Sequence, residues 1–389
     1  MTTASASPIN DTMQGVSWEH LRRQMPVARR WAYFDHAAVA PLTGAAQQAL
    51  AHWYEDAALN GAAFYPAWMK QKQELRRKAA GMIGADIDEI AFVGSTTAGI
   101  NLVAEGFPWQ QGDNVVTRAD EFPSNLYPWL RLADVGVETR RIQTDGGKLD
   151  LDRLLAACDQ RTRIVTISWV TFSYGWRHDL DRLAEAVHQR GALLFVDAIQ
   201  GLGVFPLDVK KTPIDFLAAD GHKWMLGPEG AGLFYLRREH LNLLRPLGVG
   251  WNSVKAAHDF NRIEYDLKDS AERYEGGAQN VAGLIALGAS LELLMQFPAQ
   301  AKTARVLQIT DLACQRLQEQ GAVILSDRTH EENKSGIVLF ELPGRDPQAV
   351  RRACMEKGVI LSCRSGRLRI SPHAYNDESD VDRLIKSIG

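Results

Sequence analysis

The feature of this sequence that most constrains its fold is an alternation, from about residue 30, of short β-branched runs with amphipathic stretches. Several of the runs are apolar along their whole length, which is typical of strands covered on both faces. Repeated strand–helix–strand order favours a mostly parallel sheet flanked by helices, that is, an α/β fold. The predicted strands are 89–94, 113–117, 137–142, 164–170, 192–197, 214–219 and 232–237.

Helices are predicted between these strands and after them. Segments 149–159 and 179–191 carry acidic residues in their first turns, which suits the positive end of a helix dipole. After about residue 280 the pattern changes to a long helical stretch, a strand at 336–342, a further helix and two short strands. We therefore predict an N-terminal tail and small-domain segment (1–30), a large cofactor-binding domain (31–285) and a smaller α+β C-terminal domain (286–389).

The composition excludes several classes of function. Lys and Arg number 44 against 47 Asp and Glu, so no nucleic-acid or membrane-surface partner is expected. No apolar run approaches membrane-spanning length, and the small, polar residues 1–15 predict a frayed tail rather than a signal peptide. The four cysteines form no CxxC pair, so no zinc ribbon or thioredoxin motif is predicted. A reducing, cytoplasmic setting is the simplest interpretation.

Polar or glycine-rich segments follow three of the predicted strands, at 94–101, 196–200 and 220–232. In an open α/β sheet, ligands bind at the edge where such strands end. Lys223 lies in the third segment, beside His222 and before a glycine-rich turn. A nearby cation and burial both disfavour the charged amine, and a neutral lysine can form a Schiff base. A lone lysine would be an ordinary surface residue, but this position favours a chemical role.

Two side chains near the end of the strand 192–197 suggest which cofactor is involved. Asp197 ends an apolar strand, where a carboxylate is costly without a positive partner. The protonated ring nitrogen of pyridoxal 5′-phosphate (PLP) is such a partner, and PLP enzymes commonly supply an Asp for it. Gln200 lies one helical turn further on, where it can donate to the ring oxygen. An N-cap role for Asp197 and a solvated loop amide for Gln200 are the structural alternatives.

Ser95, Thr96 and Thr97 follow the strand 89–94 and open a helix. Backbone N–H groups and hydroxyls at a helix start bind phosphate. Ser and Thr also serve there as ordinary N-caps, so this signal is weak alone.

Other motifs are less informative. The segment 201–206 holds Gly-x-Gly without a third glycine, so a dinucleotide-dependent dehydrogenase is not favoured. No Glu, Asp or His pair has the spacing of metal ligands. The aromatic stretch FYPAW (64–68), on a predicted loop, either belongs to the core or lines a pocket.

Together these segments resemble the class V aminotransferase family of fold-type I PLP enzymes, and especially its cysteine desulfurase and selenocysteine lyase branch. The likeness runs from YFDHAAVAPL (33–42) to RISPHAYNDESDVDRL (369–384). Its strongest anchors are VDAIQ (196–200) and DGHKW (220–224), in this order and spacing. The resemblance implies a large PLP-binding domain, a smaller C-terminal domain and PLP as the cofactor.

The resemblance also implies roles for individual residues. Lys223 would carry the cofactor as a Schiff base and move the Cα proton, and Arg369 would bind the substrate carboxylate, which suits its bidentate fork. The implied cofactor contacts are Thr96, Thr97 and His222 on the phosphate, Asp197 on the pyridine nitrogen, Gln200 on the ring oxygen, and Phe122 or Pro123 on the ring face.

Members of this family are usually homodimers in which a neighbour completes each active site. The segment 273–280 resembles the phosphate loop that the neighbour supplies, with Ala278 where a threonine is usual. Asp220 replaces a small hydroxyl residue, and we expect it to point away from the phosphate. Phe172 stands where desulfurases commonly carry an asparagine.

Cys363 marks the largest departure from cysteine desulfurases, which need a mobile cysteine on a loop before the carboxylate-binding arginine. That loop is shortened here to 363–369. A persulfide-forming cysteine needs exposure and reach, so we expect Cys363 to be a structural or pocket-wall residue. The predicted activity is that of a PLP enzyme acting on an amino acid, preferably by carbon–sulfur β-elimination from a cysteine derivative. Transamination, epimerisation, true desulfurase activity and a non-catalytic PLP-fold protein are the alternatives.

Overall fold

A computed structural model describes residues 12–13 and 16–389, so almost all of the predicted tail at 1–15 lies outside the described residues. The strands are β1 (Thr12–Met13), β2 (Val16–Ser17), β3 (Ala32–Tyr33), β4 (Ile90–Val93), β5 (Asn114–Arg118), β6 (Glu138–Ile142), β7 (Thr162–Ser168), β8 (Leu193–Asp197), β9 (Phe216–Asp220), β10 (Gly232–Leu236), β11 (Val323–Ile324), β12 (Val338–Glu341), β13 (Val359–Ile360), β14 (Ser362–Arg364) and β15 (Arg367–Ile370). The α-helices are α1 (Trp18–Arg23), α2 (Gly44–Asn60), α3 (Tyr65–Ile83), α4 (Thr96–Gly106), α5 (Tyr127–Leu130), α6 (Leu151–Ala156), α7 (Leu180–His188), α8 (Val281–Met295), α9 (Ala299–Glu319), α10 (Pro347–Glu356) and α11 (Glu378–Ile388).

Seven strands form the central sheet in the order β4-β10-β9-β8-β7-β5-β6. Neighbours from β9 to β6 are parallel, and β10 alone runs against both of its neighbours. These are the seven strands that the apolar runs predict, so the expected mostly parallel α/β fold is confirmed. Because β4, β8 and β9 point the same way, the residues that follow them lie at one edge of the sheet.

Alternate residues along the central strands belong to two different hydrophobic cores. Leu194 and Val196 of β8 pack into one core with helices α3, α7 and α8, while Phe195 packs into the other with α4. This alternation explains why the strands are apolar throughout, since each face of the sheet is covered. The helices begin as predicted, with Asp150 and Asp179 accepting hydrogen bonds from backbone N–H groups in the first turns of α6 and α7.

A second sheet, ordered β11-β12-β15-β14 and antiparallel throughout, forms near the C-terminus. Side chains from α9, α10 and α11 pack with it in one core. The short strand β3 pairs in parallel with β13, so the chain around residue 32 joins this C-terminal unit. The boundary at residue 285 remains a prediction, and it falls within the continuous helix α8.

The prediction that FYPAW (64–68) lies on a loop is wrong. Helix α3 begins at Tyr65, with Pro66 in its first turn, where the missing N–H of proline costs nothing. Phe64 and Trp68 line a cavity of about 380 Å³ between α2, α3 and α8. This cavity shares no residue with the one at the sheet edge.

Among the described residues, no single helix has both the length and the hydropathy needed to cross a membrane. Helices α8 and α9 meet such a criterion only as a pair, and they are bent by 85° at their junction.

Candidate active site

The structure brings all eight predicted site residues to the wall of one cavity of about 280 Å³. The cavity lies at the sheet edge where β4, β8 and β9 end, and the hairpin of β14 and β15 closes it from the side. Its lining residues are Ala37, Ala38, Val39, Ser95, Thr96, Thr97, Phe122, Ser124, Phe172, Asp197, Ile199, Gln200, Asp220, His222, Lys223, Arg364 and Arg369.

Lys223 is held in a tight loop that follows β9. The N–H of Gly227 donates to the carbonyl of Gly221 at 2.9 Å, and the N–H of Leu226 donates to the carbonyl of Lys223 at 3.0 Å. Leu226 has φ +56°, a left-handed conformation that a leucine rarely adopts, and strain of this kind is found at functional sites. The loop therefore fixes the root of the lysine side chain at the cavity.

The surroundings of the Lys223 amine favour its neutral, nucleophilic form. The residue is only 8% exposed, and its Nζ lies 5.6 Å from the centroid of the Phe122 ring. Burial lowers the pKa of Lys223 to about 8; Arg369 and Arg364 also lower it, whereas Asp197 opposes the shift. A substantial neutral fraction near pH 8 is what an amine needs to react with a carbonyl.

Asp197 ends β8 inside the protein, as its apolar strand predicts. Its carboxylate accepts a hydrogen bond from the N–H of Ile199 at 3.1 Å and forms no ion pair with a basic side chain in the described region. Burial raises the pKa of Asp197 to about 7, Glu121 raises it further, and Lys223 opposes the shift. A cationic N–H at this carboxylate would offset the cost of its burial.

Gln200 is oriented by two hydrogen bonds that fix the direction of its amide. The indole N–H of Trp224 donates to Oε1 at 2.8 Å, and Nε2 donates to the carbonyl of Ala37 at 3.0 Å. Because indole nitrogen is only a donor, the oxygen must face Trp224. One N–H of the amide remains for a ligand in the cavity.

Helix α4 begins at the cavity and presents its first turn to it. Ser95 is its N-cap, accepting from the N–H of Ala98 at 3.0 Å. The Thr97 hydroxyl donates to Ser124 at 2.9 Å. Thr96 accepts from the N–H of Asp220 at 2.9 Å, which ties α4 to the end of β9. The N-capping alternative thus holds for Ser95, while Thr96 and Thr97 line a helix terminus suited to an anion.

Asp220 lines the same cavity, contrary to the expectation that it points elsewhere. The N–H of Gly221 donates to one of its carboxylate oxygens at 2.7 Å, and Nδ1 of His222 lies 3.0 Å from the other. Contacts with an imidazole nitrogen and a backbone donor allow a carboxylate to stay close to the place where a phosphate is expected.

Arg369, on β15, is almost completely buried and makes several contacts. Nη1 donates to the carbonyl of Phe172 at 2.6 Å, Nη2 to Asp35 at 3.1 Å, and Nε to Ser362 at 3.3 Å. Burial lowers the pKa of Arg369 to about 10, against the effect of Asp35. Guanidinium has five N–H groups, so two remain for a substrate carboxylate.

Arg364 and Asp35 are site residues that sequence reasoning missed. Arg364 lies within the segment 363–369 and immediately precedes the Ser365–Gly366 turn, and an arginine at that position is the signal by which the sequence could have indicated it. Asp35 follows β3 and accepts a hydrogen bond from Arg369, which is 334 positions away in sequence. No local sequence pattern indicates this contact.

None of the four cysteines lines the cavity. Cys363 faces away from it, with its thiol directed to the carbonyl of Pro347 at 3.4 Å and its side chain against the C-terminal core. The shortened loop proves to be the two-residue turn Ser365–Gly366, with φ +50° and +70°, which joins β14 to β15. These angles match the type I′ turn that closes tight hairpins.

The segment 273–280 does not contribute to the cavity of its own chain. Gly277, Ala278 and Gln279 line a separate cavity of about 120 Å³, which has no residue in common with the one around Lys223.

The residues around the Lys223 cavity fit PLP. A buried amine suits the cofactor's carbonyl, a buried carboxylate without a basic partner suits a protonated ring nitrogen, and a helix terminus with two hydroxyls suits a phosphate. The free N–H of Gln200 adds a donor for the ring oxygen.

Comparison with known proteins agrees with this fit. The aminotransferase class-V family model matches residues 32–384. A probable cysteine desulfurase of Methanothermobacter thermautotrophicus is 31% identical over 393 residues, covering 94% of this chain and 96% of the relative. The structure of the Escherichia coli cysteine desulfurase CsdA has a TM-score of 0.86 at 26% identity, covering 96% of this chain and 98% of that one.

A further similar structure is that of the cystine C–S lyase C-DES with its reaction product cysteine persulfide. Its TM-score is 0.88 at 22% identity, covering 94% of this chain and 99% of that one, which supports the fold. The family match over most of the chain and the donor set around Lys223 agree. The chain therefore belongs to the aminotransferase class-V family, in its cysteine desulfurase-like branch, and is a PLP-dependent enzyme.

Proposed function

We propose that this enzyme cleaves the carbon–sulfur bond of a cysteine derivative by β-elimination and releases the sulfur into solution. The single observation that carries the proposal is that no cysteine lines the cavity and Cys363 faces away from it. An acceptor thiol must reach the substrate sulfur, and the two-residue turn between β14 and β15 gives Cys363 no means of doing so.

The proposed binding roles follow from the contacts described above. Thr96, Thr97 and His222 hold the phosphate, with backbone N–H groups of α4. Asp197 pairs with the ring nitrogen, Gln200 donates to the ring oxygen and Phe122 covers a face of the ring. Arg369 binds the substrate carboxylate with its two free N–H groups.

Bound PLP supplies an electron sink for the substrate Cα. Lys223 Nζ removes the Cα proton, and the low pKa of the amine leaves it able to act as a base near neutral pH. A double bond forms between Cα and Cβ while the Cβ–S bond breaks, and its electron pair leaves with the sulfur as a thiolate or persulfide. The released enamine then takes up water and loses ammonia to give pyruvate.

The role of Lys223 is tested by borohydride reduction of the yellow holoenzyme, which should make the bond between PLP and Nζ permanent. Peptide mapping should then find the cofactor on Lys223, and the Lys223→Ala variant should be colourless. Label on another lysine, or an unchanged spectrum, contradicts the assignment.

The reaction is tested by incubating the holoenzyme with cysteine, cystine and S-substituted cysteines while following pyruvate, ammonia, sulfide, alanine and keto acids. Equal amounts of pyruvate and ammonia are expected. Alanine together with sulfide indicates a desulfurase, a keto acid retaining the side chain indicates a transaminase, and loss of optical rotation alone indicates an epimerase. A protein that turns over none of these and binds no amino acid is a non-catalytic relative.

The Cys363→Ser variant separates elimination from sulfur transfer. Elimination predicts unchanged turnover, because the thiol packs against the C-terminal core. Loss of turnover in a variant that stays folded and yellow would show that Cys363 takes part in the chemistry.

We also infer that the active enzyme is a homodimer in a reducing compartment such as the cytoplasm. Residues 277–279 lie apart from the Lys223 cavity of their own chain, as a loop that serves a neighbour should. Large apolar side chains are exposed on the same region of the chain, at Trp251, Phe260 and Ile263. All four cysteines are free thiols. The chain has a mass of 43.2 kDa, and light scattering should give twice that value. A fully active monomer contradicts the dimer.

A further inference from the structure

Arg364 is a basic residue in the wall of the Lys223 cavity. It is half-buried on β14 and lines the cavity. Its Nη1 donates to the carbonyl of the adjacent Cys363 at 2.8 Å, and in the part of the chain that the structure describes no acidic side chain pairs with it. Arg369 beside it has Asp35, at 3.1 Å. A partly buried guanidinium without a counter-charge is a binding site for an anion.

The hairpin holds Arg364 in place. Ser362 and Arg364 project from one face of β14, while Cys363 projects from the other into the C-terminal core. Arg364 pairs with Arg367 across the type I′ turn, and Ser362 pairs with Arg369. The two cavity arginines are therefore carried by adjacent strands of one short, rigid hairpin.

The other anions expected at the site already have partners. The phosphate has the start of α4 and His222, the carboxylate of Asp197 has the ring nitrogen, and the substrate α-carboxylate has Arg369. Arg364 is the cavity cation to which no expected anion is assigned. Phe172 lines the same cavity, and its backbone carbonyl accepts a hydrogen bond from Arg369. Phe172 and Phe122 meet edge to face with ring centroids 5.3 Å apart, which gives an apolar wall.

We propose that Arg364 binds a second acidic group, located on the substrate beyond the sulfur atom. The preferred substrate is then a cysteine disulfide or S-conjugate whose leaving half carries a carboxylate, with an apolar stem against Phe172. This inference rests on the proposed β-elimination, whose substrate class it narrows.

Three disulfides that share the same reacting cysteine test the proposal: cystine, the mixed disulfide of cysteine with 3-mercaptopropionate, and the mixed disulfide of cysteine with cysteamine. Only the first two carry a distal carboxylate. Their kcat/KM for pyruvate release should exceed that of the cysteamine disulfide by roughly 10- to 100-fold, as expected for charge-assisted hydrogen bonds. In Arg364→Gln the ratio should fall towards one, and Arg364→Lys should keep part of it.

Arg367→Gln is the matched control, because Arg367 lies on the same turn but is exposed and paired with Glu341 at 2.8 Å. It should keep the ratio of the wild type. Two results overturn the proposal: a wild type without preference, or an Arg364→Gln variant that loses the same factor on all three disulfides. The second result would assign Arg364 to the shared α-carboxylate.

Binding measurements separate this inference from the proposed reaction. By calorimetry, the holoenzyme should bind adipate or pimelate roughly 10- to 100-fold more tightly than the monocarboxylates of equal length, and Arg364→Gln should abolish this difference. If the dicarboxylate preference is present but no disulfide yields pyruvate, the elimination fails while the second anion site stands. If pyruvate forms but dicarboxylates have no advantage, the anion site fails alone.

Discussion

At the residue scale, the site combines groups whose charges are set by their surroundings. Lys223 and Asp197 line the same cavity, and burial moves their pKa values towards neutrality from opposite sides, to about 8 and about 7. Each group is thereby held close to its uncharged form until a partner arrives. We propose that this partner is PLP, whose carbonyl takes the amine of Lys223 and whose ring nitrogen takes the carboxylate of Asp197.

The charge of Asp197 can be removed without changing its shape. We expect Asp197→Asn to bind PLP but to lower kcat by roughly 100- to 1,000-fold, because the amide no longer stabilises a protonated ring nitrogen. The loss in kcat would be measured by steady-state kinetics on wild-type and variant enzyme of equal PLP content. Asp208→Asn is the control, because Asp208 is a partly exposed carboxylate that pairs with Lys211 outside the cavity. Full activity in Asp197→Asn contradicts the pairing.

Trp224 positions Gln200 through the 2.8 Å hydrogen bond to its amide oxygen. Trp224→Phe leaves that buried oxygen unpaired, at a cost of about 1–3 kcal/mol, and frees the amide to turn. We expect a higher Kd for PLP and a shifted absorbance of the bound cofactor.

Trp129→Phe is the matched control for this change. Trp129 is also buried and donates to an amide oxygen, that of Asn125 at 3.0 Å, but it lies outside the cavity. It should lose less stability, because the oxygen of Asn125 still accepts from the Thr166 hydroxyl at 2.7 Å, and its Kd for PLP should stay the same. Equal effects of both variants on the Kd would mean that Trp224 acts only through stability.

Part of the site could be predicted from the sequence, because several site residues lie at the end of a strand or just after it, and the apolar pattern of that strand identifies it. Lys223, Asp197 and Thr96 are predicted by their position after apolar runs. Arg364 and Asp35 are not, because an arginine without a counter-charge and a carboxylate that is distant in sequence become visible only once the C-terminal hairpin is placed against the sheet edge. The expectation that Asp220 points away is wrong for the same reason, since the approach of His222 Nδ1 to its carboxylate depends on the turn after β9.

At the element scale, close packing of loops brings the cofactor-binding segments together. Gly203 has φ +98°, and a Cβ there would lie 2.3 Å from the carbonyl oxygen of Trp224. The segment after β8 and the lysine loop after β9 therefore touch through a glycine. Only a residue without a side chain allows this approach.

Gly203→Ala should push the lysine loop away from β8. We expect a loss of at least roughly 1–3 kcal/mol in the free energy of unfolding, with weaker retention of PLP. Urea titration and cofactor absorbance after dialysis would measure both. Gly81→Ala is the control, because a Cβ there meets nothing within 4 Å and lies within α3, where alanine favours the helix. A Gly203→Ala variant as stable as the wild type would contradict the close approach.

Asp215 joins three elements just before β9. His188 at the end of α7 and His240 after β10 each lie 2.7 Å from one of its oxygens, and the N–H of Leu194 in β8 donates to it at 2.7 Å. Burial opposes ionisation, but these hydrogen bonds outweigh it and lower the pKa of Asp215 to about 2. The folded pKa lies below the unfolded value, so the carboxylate stabilises the fold above about pH 4.

This stabilisation is about 2 kcal/mol at neutral pH and is lost as the pH falls towards 2. Asp215→Asn should therefore be less stable than the wild type at pH 7, and the gap should narrow by about 1 kcal/mol by pH 3. Urea denaturation at several pH values gives the difference. A gap that is constant with pH would show that Asp215 acts through packing alone.

The central strands were predictable and helices α2 and α3 were not, for a physical reason. Most of the central strands are rich in apolar residues because both faces of the sheet are covered, and this pattern is visible in a single sequence. The outermost strand β6 (Glu138–Ile142) is mostly polar and partly exposed. Helices α2 and α3 mix small, polar and aromatic residues, and the aromatic stretch at 64–68 gave no periodic signal within five residues. Periodicity becomes visible only over longer windows.

At the scale of the whole molecule, the segment 273–280 is anchored to β4, the strand that leads to the start of α4 at the Lys223 cavity. Glu275 is buried, pairs with Lys72 and Arg76 at 2.6 and 2.8 Å, and accepts from the N–H of Phe92 in β4 at 2.8 Å. The strand that leads into one site and the loop proposed to serve a neighbouring site thus share a carboxylate. The strand order and this sharing depend on long-range packing that no local pattern reveals.

Mixed dimers test whether the sites are shared. Lys223→Ala removes the amine, and Gly277→Asp places a negative charge where the loop should meet a phosphate; a side chain fits there within its own chain. Each variant alone should be inactive. Co-refolding them in equal amounts should restore about a quarter of the wild-type activity, because half of the dimers are mixed and each contains one intact site. No restoration, with mixed dimers shown by mass spectrometry, would contradict sharing.

The exposed turn Ser365–Gly366 stands where cysteine desulfurases are expected to carry their sulfur-accepting cysteine, and it is separate in sequence from Lys223 and Asp197. Lengthening a surface loop costs little, since each doubling adds only about 0.6 kcal/mol of closure entropy. A lineage can therefore gain or lose a tethered sulfur carrier by insertion or deletion at this one turn, while Lys223 and Asp197 stay as they are. With the short turn, the proposed β-elimination releases the sulfur to an acceptor that diffuses in from solution, so its delivery would have to be controlled outside the enzyme.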